Sequence, residues 1–352
     1  AGGPEMKTVN VALIGCGYWG PNLLKSLLRT DGCRVVAVAD IRDGRLGFVR
    51  ERYPMVRTTR NYGEILEDKG IDAVALATPP ESHAEIGGEI LRSGKHLFVE
   101  KPLAANSADG LALTEAASKR RLVLMVGHIF VYHPAVTEIK KWVDDGRIGE
   151  LCYINSSRLG MRPPGTTVNV VWDLACHDVA MLLHLIGDEP LEVSALGRDH
   201  MKEGRVDAAF INMAFPGKVF ANIHVGWLMP GKVRKTYIMG KKGAIVFDDT
   251  LVSEKVAVYG EGIDSRLNSR DTDSGAITYG SGSVFRPALD SKEPLLAECE
   301  HFIECVKGGI SPLTGGENGL STVKVLEAAC ESINMNARPV RLCRENADRR
   351  LA

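Results

Sequence analysis

Short apolar runs alternate with amphipathic stretches through the first part of the chain. The runs VNVALIG, CRVVAVAD, IDAVALAT, KHLFVEKP and LVLMVGH have the length and composition of buried strands. The segments PNLLKSLLRT, RDGRLGFVRERY, ESHAEIGGEILRSG and SADGLALTEAASKR lie between them and have helical spacing. Strands that alternate with helices form βαβ units, so the pattern predicts an α/β domain with a parallel sheet.

The pattern changes after about residue 129. The runs LEVSALG, AAFINMAF, KVFANIHVGW, KTYIMGK and GAIVFDD follow one another too closely to be joined by crossover helices. Their sheet is therefore predicted to be open and mainly antiparallel, in an α+β domain over 129–345. The other elements predicted there are a helix over PAVTEIKKWVDDG, a strand over LCYINSSRLG, a helix from about Asp173 to Leu185, a long polar loop over 261–294, and helices around 295–307 and 315–334.

Composition narrows the class of protein. With 352 residues, 45% of them hydrophobic, the chain can form two cores, and its net charge of -1 gives no general attraction to nucleic acid or anionic membranes. No apolar run approaches the ~20 residues that a membrane span needs. The eight cysteines form no CxxC pair and no zinc-finger spacing, so we expect reduced thiols, no metal site and a cytoplasmic location.

A glycine motif stands between the first predicted strand and the first predicted helix. In GCGYWG, Gly15 suits a tight turn, Gly17 allows backbone to approach a pyrophosphate, and Gly20 allows close helix packing. The alternative is an ordinary glycine turn. The order of strand, glycines, helix and second strand favours a dinucleotide-binding Rossmann domain over 7–128.

Asp40 ends the second predicted strand, where an acidic residue binds the adenosine ribose in such domains. Its carboxylate would accept hydrogen bonds from the ribose hydroxyls and repel a 2′-phosphate, which favours NAD over NADP. Arg42 offers that phosphate a partner, so NADP stays as the alternative. Tyr18, Trp19 and Ile41 are expected beside the cofactor, although Tyr18 and Trp19 fit ordinary packing equally well.

Glu100, Lys101 and Pro102 end a strand at the sheet edge where open α/β sheets bind ligands. A residue before proline is extended, and the bond between Lys101 and Pro102 can be cis. Taken alone, the pattern favours a surface lysine at a strand end.

Two residues of the second domain supply possible partners for this lysine. Asp173 and His177 are four positions apart on a predicted helix and share a face. His177 can accept an alcohol proton near neutral pH, Asp173 can fix its tautomer, and the Lys101 ammonium can stabilise the alkoxide. The open alternatives are a buried helix histidine and an N-cap aspartate, with Asp178 as a salt-bridge partner.

Five segments together resemble the glucose–fructose oxidoreductase/inositol dehydrogenase (Gfo/Idh/MocA) family: GCGYWG, ATPPESH at 77–83, EKPL at 100–103, WDLACHD at 172–178, and the closing helix after PLTGGENG. The resemblance implies that Lys101 and His177 are catalytic and that Asp173 assists. It also implies a homodimer or homotetramer formed through the second sheet. The residues that it places along the cofactor site are Thr78, Pro79, His83 and Glu100.

Within that family, GHIFVYHPAV at 127–136 and VNVVWDLACHD at 168–178 are similar to the branch that oxidises C3 of nucleotide-linked sugars. Cys176 departs from the proline that this branch often has. Related 3-ketoreductases tend to carry tyrosine at the position of His177, which favours oxidation here. The branch implies substrate-pocket roles for His128, Tyr132, Asn169 and Trp172, which without the resemblance suit core or loop packing.

Other interpretations stay open at this stage. Arg158 and Arg162 can meet a diphosphate or form surface salt bridges. The substrate can instead be inositol or an aminoglycoside sugar, and the direction can be reduction with NADPH. A Rossmann protein that senses NAD without catalysis is a third hypothesis, which the presence of Lys101, Asp173 and His177 disfavours.

Overall fold

The computed structural model describes residues 8–161, 168–260 and 283–342. These residues form two compact units. The first contains the described residues up to Tyr132 together with Lys292–Val323, and the second contains His133–Ser291 and the chain from Lys324 onward. A segment that lies much later in the chain thus completes the first unit.

The first unit is built on a six-stranded parallel sheet with the strand order β3-β2-β1-β4-β5-β6. This order is the doubly wound Rossmann arrangement, so the predicted fold class is confirmed. Strand β3 was not predicted, because three residues carry no readable alternation. The strands are β1 Val9–Ile14, β2 Cys33–Ala39, β3 Arg57–Thr59, β4 Ala73–Leu76, β5 His96–Glu100 and β6 Leu124–Gly127.

The second unit is built on a nine-stranded sheet with the order β14-β13-β12-β11-β7-β10-β9-β8-β15. All neighbouring strands are antiparallel except β7 and β10, which run parallel, so the prediction of a mainly antiparallel sheet is confirmed. The strands are β7 Leu151–Met161, β8 Glu192–Arg198, β9 Ala208–Ala214, β10 Phe220–Gly226, β11 Leu228–Gly240, β12 Ala244–Asp248, β13 Val256–Tyr259, β14 Val284–Phe285 and β15 Val340–Arg341.

The described helices follow the predicted amphipathic segments closely. Both closing helices are present, and most of the predicted loop at 261–294 lies outside the described residues. A short unpredicted helix, α3, follows β3. The helices are α1 Gly20–Arg29, α2 Asp43–Arg52, α3 Gly63–Glu67, α4 His83–Arg92, α5 Ser107–Arg120, α6 Pro134–Asp144, α7 Cys176–Ile186, α8 Pro294–Gly308 and α9 Gly316–Asn334.

Each unit has its own apolar core. In the first, Leu23 and Leu27 lie one turn apart on α1 and are buried with Leu13 of β1. Phe98 of β5 packs edge-on against Phe302 of α8, with ring centroids 5.6 Å apart, so α8 is part of this core. The second core is formed by the inward-facing residues of alternating strands such as β9 and by the apolar faces of α6 and α7.

Candidate active site

The three motif glycines have different surroundings. Gly15 has a φ of +94°, and a Cβ there would lie 2.6 Å from the Ala77 carbonyl oxygen. A Cβ at Gly20 would lie 2.4 Å from the Gly15 carbonyl oxygen, whereas at Gly17 no atom lies within 4 Å. Gly15 and Gly20 are thus required by close backbone packing. The open space at Gly17 fits the approach of a pyrophosphate.

The beginning of α1 lies directly after this loop. No side chain caps the helix, and its first turn contains no acidic residue, so a phosphate would meet no competing negative charge there. Tyr18 is 89% exposed beside the loop, and Trp19 is half-buried. The beginning of α1 therefore fits the dinucleotide that the sequence predicts.

Asp40 lies just after β2 and is held by backbone donors. Its carboxylate oxygens accept hydrogen bonds from the N–H of Cys16, at 2.7 Å, and from the N–H of Arg42, at 2.8 Å. Each carboxylate oxygen keeps a further lone pair for a ligand hydroxyl. Ile41 is 74% exposed beside it. The arrangement fits an adenosine ribose at this strand end.

His83 joins two loops of the first unit. The side chain is fully buried, and its ring nitrogens lie 2.8 Å from the Pro102 carbonyl oxygen and 2.9 Å from the Thr78 carbonyl oxygen. Burial lowers the pKa of His83, so the neutral ring donates to one of the two carbonyls. Ser82 donates to the Thr78 hydroxyl at 2.8 Å, and Pro79 precedes this turn. His83 therefore fixes the loop of Thr78 against the loop of Lys101.

Lys101 follows β5 directly, and its bond to Pro102 is cis. The backbone N–H of Lys101 donates to the Glu100 carboxyl at 3.3 Å. Glu100 is half-buried as a residue, but its carboxyl faces Gly127 of β6 closely enough that a Cβ there would lie 3.0 Å away. Burial raises the pKa of Glu100 to about 7, and the charge of Lys101 and the indole N–H of Trp19 oppose this shift.

His128 and Tyr132 lie in the interior of the first unit. His128 is 2% exposed, and burial, assisted by the charge of Lys101, lowers its pKa to about 3, so the ring is neutral. The Tyr132 hydroxyl lies 3.2 Å from the Thr314 hydroxyl, and burial raises its pKa far above the usual range. Tyr132 is therefore unsuited to act as a base. Both residues have the core packing that the sequence alone suggested.

In the second unit, Asp173 lies in a π-helical turn, Val171–Ala175, which leads into α7. The Asn169 side-chain oxygen accepts from the N–H groups of Val171 and Trp172, both at 3.1 Å, and so caps this turn. His177 follows in the first turn of α7, and both it and Asp173 are partly exposed. The predicted helix is confirmed, with a π-turn at its beginning, a feature that is frequent at functional sites.

Arg158 forms a buried ion pair instead of the surface salt bridge considered above. Its Nε donates to Asp178 at 2.6 Å, and the two side chains are 7% and 2% exposed. The Ser156 hydroxyl donates to the same carboxylate at 2.8 Å. Asp178 thus has the partner role that the sequence allowed, whereas Arg162 lies outside the described residues.

Among the buried charge-bearing residues of the first unit that sequence reasoning missed is Glu298 of α8, which is 0% exposed. The pattern carried a signal for it, because Glu298 stands three residues after Leu295 and four before Phe302, on the apolar face of the helix. Within the described residues, no group of three or more His, Cys, Asp or Glu side chains is placed to hold a metal ion.

Family models match most of the chain. Residues 9–128 match the oxidoreductase family with an NAD-binding Rossmann fold, and residues 136–246 match the Gfo/Idh/MocA C-terminal domain. The chain belongs to the Gfo/Idh/MocA family. The resemblance based on the sequence motifs is thereby confirmed, and the chain is an oxidoreductase of a family whose characterised members include sugar and inositol dehydrogenases.

Individual relatives extend this result. The scyllo-inositol 2-dehydrogenase (NAD(+)) of Bacillus subtilis is 27% identical over 95% of this chain and 96% of its own length. The solved UDP-N-acetylglucosamine 3-dehydrogenase of Acidithiobacillus ferrooxidans has a TM-score of 0.81 at 22% identity and covers 93% of this chain and 98% of its own. The aldose-aldose oxidoreductase of Caulobacter crescentus has a TM-score of 0.81 at 20% identity, with 95% and 100% covered. The two structures share the fold.

None of the helices in the described part of the chain has the length and apolar character to cross a membrane.

Proposed function

We propose that this protein oxidises a secondary alcohol of a sugar, at C3 of a nucleotide-linked sugar, with NAD as the cofactor. The observation that carries the proposal is the position of Lys101 at the carboxyl end of β5, in a unit whose glycine loop and Asp40 fit a dinucleotide. A bound nicotinamide would accept the hydride. The sugar specificity rests on the similarity of segments 127–136 and 168–178 to one branch of the family.

Three side chains are assigned roles toward the substrate hydroxyl. His177 accepts the proton of the alcohol, and Asp173 holds the imidazole in the tautomer that leaves the accepting nitrogen free of hydrogen. The Lys101 ammonium stabilises the negative charge that develops on the oxygen as the carbonyl forms. The partial exposure of Asp173 and His177 supports these roles, because a substrate can reach them.

The preference for NAD rests on Asp40. Its carboxylate is fixed by two backbone N–H groups and would repel a 2′-phosphate. In calorimetric titration we expect tighter binding of NAD than of NADP, and Asp40→Ala should narrow the difference. Equal or tighter binding of NADP by the wild type would refute the assignment, and Arg42 would then be the residue to replace.

The substrate class is tested by following cofactor reduction with free, phosphorylated and nucleotide-linked sugars, inositols and aminoglycoside sugars. We expect the highest kcat/KM with a nucleotide-linked sugar, and product analysis should locate the new carbonyl at C3. Inositol is the second candidate, because the relative from Bacillus subtilis is named for it. Activity only with a 3-ketosugar and NADPH would support the reductive alternative, and no turnover in either direction would support the sensor.

The assigned roles are tested with single and double variants. His177→Asn should reduce turnover by ~10²- to 10⁴-fold with little change in NAD affinity, the usual range for a positioned acid–base group. Lys101→Met should reduce turnover by as much or more, and Asp173→Asn should reduce it by less. The proposal requires both groups to act on one hydroxyl, so the double variant should be little worse than the worse single one. His184→Asn, on the same helix, is the matched control, and near wild-type turnover of His177→Asn from pH 6 to 9 would make His177 structural.

A homodimer or homotetramer formed through the second sheet is part of the proposal. One face of this sheet carries exposed apolar side chains, among them Leu196, Phe210 and Phe220, which are 47%, 48% and 53% exposed. Phe220 stacks on Tyr153 with ring centroids 5.1 Å apart, which forms a flat aromatic surface. Light scattering should give a multiple of the 38.2 kDa chain mass, and the mass of one chain would refute this part.

A further inference from the structure

Glu298 is a carboxyl buried without a partner among the described residues. It lies on the apolar face of α8, is 0% exposed, and neither of its oxygens accepts a hydrogen bond from any described group. Removing a carboxylate from water without a hydrogen bond or a cation costs several kcal/mol, so such a group normally becomes protonated.

A second carboxyl lies close to it. Glu100, at the end of β5, interacts electrostatically with Glu298 and with Lys101. The Glu100 carboxyl lies between Gly127 and the indole N–H of Trp19. The geometry of this N–H toward the carboxyl does not meet that of a well-formed hydrogen bond. The cluster thus contains two carboxyls and one cation.

The other titratable groups near Glu298 add no positive charge. Tyr132, on the turn Ile129–Tyr132, and Cys299, on α8 itself, keep their protons because burial raises the pKa of each. His128, beside Lys101, is neutral. Of two further elements that pack against α8, β1 has no titratable side chain, and α1 carries Lys25 and Arg29, which are both exposed. Arg29 pairs with Glu293. None of these groups therefore supplies a cation to offset a negative charge on Glu298.

We propose that Glu298 is a neutral buried acid, whose retained proton keeps a second negative charge away from Glu100, the carboxyl beside Lys101. Glu298 acts through Glu100 and is a positioning residue. The inference adds a component to the proposed function, but its first two tests need no substrate.

The effect of pH on stability follows from the two carboxyls. Burial, with the negative charge of Glu100, raises the pKa of Glu298 well above its usual range, and the pKa of Glu100 is raised to about 7. A carboxyl whose pKa is raised by folding contributes its full stability below the unfolded pKa of ~4.3 and loses it as pH rises through the folded pKa. Stability should therefore fall as pH rises through neutrality.

The first test compares thermal unfolding of the full chain and Glu298→Gln from pH 5 to pH 9. Glutamine has the shape of the neutral acid and cannot lose a proton. We expect the two Tm values to be most similar at pH 5, and the Tm of the variant to exceed that of the wild type by a growing margin toward pH 9. Glu304→Gln, an exposed position on the same helix, should follow the wild type at every pH. A variant with a pH dependence parallel to that of the wild type would overturn the proposal.

The second test does not depend on the variant's folding. Infrared spectra of the wild type, unlabelled and with ¹³C-labelled glutamate, should show a protonated carboxyl band at neutral pH that shifts with the label. Absence of that band overturns the assignment of Glu298 as a neutral acid.

The third test concerns Lys101: in the pH profile of turnover, Glu298→Gln should stay active to higher pH than the wild type. An unchanged profile overturns the link to Lys101 and leaves the proposed reaction untouched.

Discussion

Each unit contains a carboxyl that is almost completely removed from solvent, and the two have opposite surroundings. Asp178 is 1% exposed and accepts hydrogen bonds from Arg158 and Ser156. Glu298 is 0% exposed and accepts none from the described residues, while another carboxyl lies nearby. The same chemical group is thus accommodated by a fixed cation in one unit and, in our proposal, by a proton in the other.

Because their surroundings differ, the buried carboxyls Asp178 and Glu298 should respond differently to pH. A guanidinium stays charged at every accessible pH, so the cation that pairs with Asp178 is present whenever the second unit is folded. A proton is held only below the folded pKa, so the stability provided by the Glu298 site depends on pH. In the second unit the ion pair therefore fixes the geometry around Asp178, whereas in the first unit the charge of Glu298 can change with pH.

The largest loss of stability should come from removing the cation of the Arg158–Asp178 pair. Arg158→Met leaves the buried Asp178 carboxylate with a hydrogen bond from Ser156 but without its guanidinium, and breaking a buried pair in this way costs about 3–5 kcal/mol. Urea unfolding of the variant should show this loss. A loss below ~1 kcal/mol would mean that the folded second unit does not depend on this cation.

The double variant Arg158→Met with Asp178→Leu tests whether the loss of stability comes from the uncompensated charge of Asp178. Replacing both partners by apolar residues removes the uncompensated charge, and buried pairs replaced in this way are often neutral or stabilising. We expect the double variant to recover most of the stability lost by Arg158→Met. No recovery would show that the packing of the arginine stem, and not its charge, stabilises this region.

An intermediate effect is expected at Asp249, a carboxylate of the second unit that contacts two cations and a histidine. Burial raises the pKa of Asp249, but contacts with His133, Lys255 and Arg234 outweigh it and hold the pKa well below the usual range. Its contribution is therefore present above the unfolded pKa of ~3.9 and lost as pH falls through the folded value. Asp249→Asn should lose roughly 1.5–3 kcal/mol at pH 7, in line with charged hydrogen bonds.

Unfolding of Asp249→Asn and the wild type at decreasing pH checks the sign of this dependence. The two curves should converge in acid, the opposite of the divergence expected at alkaline pH for Glu298→Gln. Curves that run parallel from pH 7 to pH 2 would mean that the charge of Asp249 contributes nothing.

The smallest effect is expected at the surface of the first unit. Arg29 and Glu293 lie 2.7 Å apart, but their side chains are 47% and 49% exposed. Solvent screening limits such a pair to about 0–1 kcal/mol. Arg29→Met should therefore unfold at nearly the wild-type urea concentration, and a loss comparable to that of Arg158→Met would show that burial is not what distinguishes these sites.

The burial of both unusual sites is readable in the sequence. Along β7, Ile154, Ser156 and Arg158 alternate with more exposed residues, so period two places Arg158 on the inward face. In α8, helical spacing places Glu298 among apolar residues. The alternation of strands and helices likewise predicted the parallel sheet, and the close spacing of the later strands predicted the mainly antiparallel sheet. Helical spacing predicted all of the longer helices.

The remaining features depend on contacts that no local pattern encodes. Glu100 and Glu298 are far apart in the chain, so their proximity follows only from the packing of α8 on the sheet. The π-turn before α7 depends on capping by Asn169, and α-helical periodicity does not distinguish it from an α-helical turn. Strands such as β3 and β14 are too short for alternation to be detected.

The return of Lys292–Val323 to the first unit has a consequence for the order of events during synthesis. The ribosome completes β6 about 180 residues before it completes α8, a delay of roughly 9–36 s at ~5–20 residues per second. Until then the nascent Rossmann sheet lacks Phe302 and its neighbours and exposes the apolar surface that they cover. The N-terminal unit is therefore completed only near the end of synthesis, and nascent-chain proteolysis should find it protected only after α8 has left the exit tunnel.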